Sequence, residues 1–422
     1  MDQYASYYYI IAGAVLLLIS LFFNRLAERT RIPSVLMLIG IGLGIQVTVK
    51  YFGLYVPDLS QILQVLGIIG LILIVLEAAL ELELKAEKTG MILRSFTSAL
   101  IGLVVCALLI GALFYYLFDF SFAYSLMYAI PLSILSSAII IPSVHHSAHR
   151  VKEFMVYESA FSDILGIIFF YFYIDSLEIN SAVSIVFGIS TKILLTILVS
   201  FVVGYAICYL FPRVESSKIK FFPLVALLLI IYAIGKITGI SSLLIIMVVG
   251  LMLNNVHLFL FDWFEQFIDF RQFNIGLIYF KSFVLETAFL VRTYFFVVFG
   301  MTIDLQLLGS WQVYAITLAI LGIIYGSRWL SLKVSRTSNV AKKVFIAPRG
   351  LITILLFLSI PAKYVQTNFN QGVLLTTILA TCIIMMIALM IEGNKHKTAA
   401  ETPAEEEAVG GDLLSLEIEE NV

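Results

Sequence analysis

Charge is what this chain has least of. Only 13% of its 422 residues are Asp, Glu, Lys or Arg, against ~25% in a typical soluble domain. With 61% apolar residues, that scarcity excludes a soluble globular domain and leaves an all-α polytopic membrane protein. An excess of one sign is missing too. A net charge of −2 offers no basic surface, so no nucleic-acid partner is expected. Cysteine is sparse: Cys106, Cys208 and Cys382 each stand alone in an apolar run, which excludes a disulfide framework and cysteine metal spacing. No basic segment precedes the first apolar run, where Asp2 and several tyrosines stand. That run is expected to remain as a helix rather than be removed as a signal peptide. No nucleophile–base or metal-ligand set gathers at one membrane depth, so neither an enzyme nor a bound cofactor is expected.

What is present is a series of apolar runs close to the ~20 residues that cross a bilayer core. Thirteen are read, near 7–23, 33–49, 61–84, 91–117, 122–146, 151–174, 182–211, 221–235, 240–256, 275–302, 309–332, 341–362 and 371–392. Residues 257–274, with Phe259, Phe261, Trp263, Phe264 and Phe267 against Asp262, Glu265 and Asp269, read as an interfacial amphipathic helix. Basic residues crowd the odd-numbered connections, from Arg25, Arg29 and Arg31 through Lys85 and Lys88 to Lys342 and Lys343. The even connections hold only Lys50, Lys236 and Lys363. By the positive-inside rule the N-terminus lies outside and the C-terminus in the cytoplasm. After Glu392 the sequence turns acidic and poor in apolar residues, with Glu405, Glu406 and Glu407, so 393–422 reads as a disordered cytoplasmic tail.

Inside the sixth run stands Val156-Tyr-Glu-Ser-Ala-Phe-Ser-Asp-Ile-Leu-Gly166. A charge at bilayer depth costs at least ~2.5–3.5 kcal/mol, so Glu158 and Asp163 mark a functional site or a structural ion pair. Helical spacing puts Ser159 and Asp163 on one face and Glu158 and Ser162 on another. The first face suits a small cation; the second needs a counter-charge. Arg328, in the eleventh run, either snorkels to the cytoplasmic side or supplies that charge, and the pair with Glu158 is the expectation. Two runs carry helix breakers. The fifth holds Ser133, Ser136, Ser137 and then Pro142, which should free carbonyls around Ala138; the twelfth holds Pro348, Arg349 and Gly350. Seven spans apart, the two run in opposite directions, as in inverted three-helix repeats 4–6 and 11–13 whose discontinuous helices meet at a midplane site.

Other buried charges are less definite. Glu77 lies deepest in the third run, while Glu81 and Glu83 are expected at the interface beside Lys85 and Lys88. Lys281, Glu286 and Arg292 in the tenth run do not face one another along their helix and receive no role. His145, His146 and His149 form a cluster that is either a solvated loop or a pH sensor.

These residues resemble the monovalent cation/proton antiporter superfamily, in particular the thirteen-helix bacterial and archaeal sodium/proton antiporters. The resemblance covers roughly residues 5–392 and is most specific at Glu-Ser-Ala-Phe-Ser-Asp, 158–163. It implies that Asp163 carries ion and proton, with Ser159 as a ligand, Ser136 and Ser137 as the unwound segment of span five, and Glu77 near the site. It also implies a Glu158–Arg328 pair, a homodimer, a role in pH homeostasis and a place in the prokaryotic plasma membrane. Phe296–Asp304 and Pro348-Arg349-Gly350 are similar to family segments as well. Ser162 departs from the family's usual Asn or Asp, which favours electroneutral exchange. The partition expected is a scaffold near 1–84 and 221–302, and a moving core near 91–174 and 309–392. Alternatives are a sodium-coupled organic solute carrier and a non-transporting membrane sensor.

Overall fold

The computed structural model describes residues 5–30, 32–53, 59–144, 147–177, 182–214, 221–238, 240–259, 269–303, 305–366 and 369–391. Helices occupy each apolar run, and no strand occurs among the described residues. In order they are α1 (Ala5–Thr30), α2 (Ser34–Tyr51), α3 (Ser60–Glu81), α4 (Thr89–Phe118), α5 (Phe122–Ser133), α6 (Ser137–Ser143), α7 (His149–Ser176) and α8 (Ala182–Val214). Then follow α9 (Phe222–Thr238), α10 (Ser242–Asn254), α11 (Val256–Phe259), α12 (Phe270–Thr302), α13 (Trp311–Val334), α14 (Val340–Val344), α15 (Leu351–Leu358) and α16 (Gly372–Ile391). Among the described residues, nine helical segments are long and apolar enough to cross a membrane. A helix satisfies its backbone internally, which lipid demands. Large apolar side chains such as Leu18, Tyr116, Ile237 and Trp311 face outward, as suits a lipid surround.

The helices pack in two groups. In one, α4 lies against α5, α7 and α13, and α15 against α5. In the other, α12 lies against α2 and α3, and α10 against α3 and α8. Small residues allow the close approach of α2 to α12: a Cβ on Gly300 would sit 2.6 Å from the Ile39 carbonyl oxygen, and one on Gly42 would meet the Val297 carbonyl. Thinner contacts join the groups, through α3 and α10 on α7, α3 on α15, and α1 on α6.

Two spans are interrupted. Ile134–Ser136 separate α5 from α6 in extended backbone, and residues 345–350 separate α14 from α15. The first break is not where the proline suggested. Pro142 lies inside α6; its missing amide frees only the Ala138 carbonyl four residues back. The break comes earlier because three successive amides bond outside the helix. Leu135 N donates to Ser162 Oγ (2.9 Å), Ser136 N to the Pro348 carbonyl (3.1 Å) and Ser137 N to Asp163 Oδ2 (3.1 Å).

Other sequence expectations divide. The long helix α12 starts at Phe270, capped by Asp269, whose Oδ1 accepts from Arg271 N (3.0 Å) and Gln272 N (3.2 Å). It therefore begins before the expected 275. The amphipathic segment falls largely on 260–268, outside the described residues, as do His145, His146 and the tail 393–422.

Candidate functional site

The site grows from α7, which passes beside α4, α5, α6 and α10. Asp163 is 2% exposed, and its Oδ2 accepts a hydrogen bond from Ser137 N at 3.1 Å. Ser137 opens α6, so its N–H is one of the donors a helix start leaves free. The other carboxyl oxygen, Oδ1, is buried with no protein partner. A buried acceptor in that state costs about 1–3 kcal/mol unless something supplies a proton or a positive charge. Ser159 Oγ turns back to the Val156 carbonyl at 3.2 Å, leaving its lone pairs available. Ser136 Oγ is buried and unpartnered, beside Gly350, where any Cβ would run into that hydroxyl.

Glu158, on the next face of α7, is fully buried. Arg328 Nη2 donates to its Oε2 (2.9 Å), Nη1 to Oε1 (3.2 Å), and Ser98 Oγ to Oε1 (2.5 Å). Arg328 Nε meets the Lys343 carbonyl at 3.0 Å. All three guanidinium nitrogens of Arg328 thus have a partner, Nη2 reaching Met155 Sδ (3.5 Å) as well, the arrangement that a buried pair needs. Lys343, also buried, lays its Nζ 3.8 Å from the centre of the Phe154 ring. Arg349 is less well satisfied. Its backbone N meets Thr381 Oγ1 at 3.0 Å and its Nη2 reaches Cys106 Sγ at 3.8 Å, but Nε and Nη1 have no partner. It borders a cavity of about 20 Å³ with Ser98, Ser133, Ser162 and Arg328, room for roughly one water.

The larger cavity, about 230 Å³, lies between α2, α3, α6 and α12 and is lined by Glu77, Glu81, Ser137, Ala138, Pro142 and Arg292, among others. Ser137 thus borders the cavity with its side and holds Asp163 with its amide. Glu77 is engaged: Arg292 Nη2 donates to its Oε2 at 2.6 Å, while Arg292 Nη1 reaches the Ala138 carbonyl at 3.5 Å. Sequence reasoning missed Arg292 because it sought a partner on the same helix. The available signal was an arginine inside an apolar run, which requires a counter-charge somewhere. Glu81 also departs from expectation. Its Oε2 is buried without a partner and it faces the cavity, whereas Glu83 does pair with Lys85 at the surface (2.7 Å). That hydrogen bond holds the Glu83 carboxyl below its usual range. Lys88 pairs with Glu153, which His149 Nδ1 also approaches at 3.4 Å.

Fold and site together define an integral, multi-pass helical membrane protein with a buried carboxylate at the interruption between α5 and α6. The chain belongs to the sodium/hydrogen exchanger transmembrane family, whose model matches residues 13–392; that is a family of transporters rather than enzymes. Its fold is similar to that of the sodium proton antiporter MjNhaP1 from Methanocaldococcus jannaschii at pH 8, with TM-score 0.66, 18% identity, and 91% of this chain and 96% of that one covered. An electron-microscopy map of MjNhaP1 gives TM-score 0.65 and 19% identity, covering 95% and 98%. At these identities the likeness is one of fold. No curated protein matches the chain.

Proposed function

We propose that the protein exchanges a monovalent cation, sodium foremost with potassium and lithium as alternatives, for a proton by alternating access, one for one. The observation that carries this is Asp163, buried, held through Oδ2 at an interrupted helix and left with Oδ1 open. Burial favours a neutral site, and either a proton or a cation neutralises a carboxylate. The two compete for one place, so each is carried in turn. Ser159, Ser136 and Ser137 are the adjoining ligands, and Ser162 holds the break through its hydroxyl. One-for-one exchange is supported by the neighbours: Ser162 does not titrate, and Glu77 is matched by Arg292.

The architecture that goes with this has thirteen spans, in which the interrupted spans five and twelve cross at Ser136 and Pro348. The core near 91–174 and 309–392 moves against a scaffold near 1–84 and 221–302. The homodimer forms through that scaffold within a prokaryotic plasma membrane, with the N-terminus outside. Ser34, Glu81 and Pro142 lie near helix ends that lead into basic connections, so the 230 Å³ cavity faces the cytoplasm under the positive-inside rule. Reconstitution into liposomes with an internal pH dye, challenged in turn with sodium, lithium and potassium, is the test. A pH change driven by at least one cation is expected; none with any of them overturns the reading.

A further inference from the structure

Arg292 occupies oxygens of the kind that a transported cation uses. Its Nη2 rests on Glu77 Oε2 (2.6 Å), and its Nη1 on the Ala138 carbonyl (3.5 Å) that Pro142 releases from the helix ladder. A carboxylate and a freed carbonyl at a helix break are cation ligands. Ala138 follows Ser137, whose amide holds Asp163, so the guanidinium stands one residue from the carrier, on its cavity side. The hold is incomplete. The Nη1 contact is at the outer limit of a hydrogen bond, and Arg292 Nε is buried without a partner.

A second resting place lies in the same cavity. Glu81 is one turn along α3 from Glu77, on the same face, and its buried Oε2 has no partner. A guanidinium displaced from Glu77 therefore need not stand uncompensated. Because arginine keeps its charge and is fixed to the chain, it competes for cation ligands without being carried. It also links α12 to α6, across the boundary between the two helix groups. The geometry points to Arg292 as a tethered competitor: an incoming monovalent cation displaces it from Glu77 and the Ala138 carbonyl towards Glu81 on the way to Asp163, so Arg292 sets the apparent cation affinity. This rests on the exchange reading above.

The test uses the full chain in proteoliposomes, with sodium as the driving cation and choline as the control. If the arginine closes the ligands about nine-tenths of the time, it weakens apparent affinity about tenfold. Arg292→Gln should then lower the sodium KM about tenfold, and Arg292→Lys should stay near wild type. The double variant Glu77→Gln/Arg292→Gln should lose the gain. A merely structural pair would lower the melting temperature of Arg292→Gln and leave the KM where it was, which overturns the inference. Glu81→Gln keeps the Glu77–Arg292 pair, and so serves even if Arg292→Gln does not fold. It should raise the KM about threefold or more, and an unchanged KM there also overturns the inference. Wild-type protein that moves no protons with sodium, lithium or potassium overturns the exchange reading and this one together; normal wild-type exchange with unmoved variant KM values overturns this one alone.

Discussion

Buried ionisable residues divide here by whether a partner charge accompanies them. Glu158 has Arg328 and Glu77 has Arg292, while among the described residues no basic side chain pairs with the Asp163 carboxyl, which accepts from the Ser137 backbone amide. The fully buried Glu158–Arg328 pair ties α7 to α13, whereas on the proposed exchange Asp163 takes its counter-charge from the proton or the cation. Removing one member of a buried pair strands the other, at about 3–5 kcal/mol, whereas replacing both by apolar groups of similar size is far milder. Arg328→Ala should therefore lower the melting temperature markedly in detergent, and Glu158→Leu/Arg328→Leu should recover much of the loss. A single variant as thermostable as wild type would remove the pair from the account. Of these charges, the Glu158–Arg328 contact was legible in sequence because each residue stood in an apolar run without another partner. Glu77–Arg292 was not, since periodicity orders residues within one helix and these two are 215 residues apart.

At the scale of elements, the account depends on how the interruption after Ser133 is held. Ser162 and Asp163, adjacent on α7, take the amides on either side of Ser136, and Ser136 itself bonds to Pro348. The breaker residues alone pointed to Pro142 for the first break, while the family resemblance pointed to Ser136 and Ser137, at whose start the break lies. A proline removes one donor and frees one carbonyl, and here Arg292 reaches that carbonyl. The actual break is made by acceptors supplied from other helices, which no local pattern records. Gly350 packs so closely on Ser136 and Ile139 that a Cβ, 2.7 Å from Ile139 Cδ1, would force the segments apart. Gly350→Ala should cost about 1–3 kcal/mol and slow exchange. Unchanged stability and rate in that variant would separate the two interruptions.

For the whole molecule, the charge carried per cycle follows from what titrates beside Asp163. On the proposed one-for-one exchange, with Ser162 neutral and Glu77 matched by Arg292, the proton-loaded and cation-loaded forms would bear equal charge. Each uncompensated charge would couple at ~2.3 kcal/mol per 100 mV. The pH gradient reached at equilibrium, with sodium driven and the potential clamped by potassium and valinomycin, should not move with that potential. A shift would show net charge transfer and bring a second titrating group into the cycle. Apolar runs fixed the helix positions along the chain, because lipid leaves the backbone few alternatives. The cavity walled by α2, α3, α6 and α12 was not legible, since it depends on which helices become neighbours.

Asp163→Asn tests the central claim most directly. Asparagine keeps the size of the side chain and an acceptor for Ser137 N, but it cannot take up a proton or supply a charge to a cation. The measurement is cation-driven proton movement in liposomes that carry wild type or variant at equal amounts, with melting temperatures compared in detergent. The account predicts a folded variant with no cation-driven pH change under conditions where wild type gives one. Exchange at the wild-type rate in Asp163→Asn would contradict it.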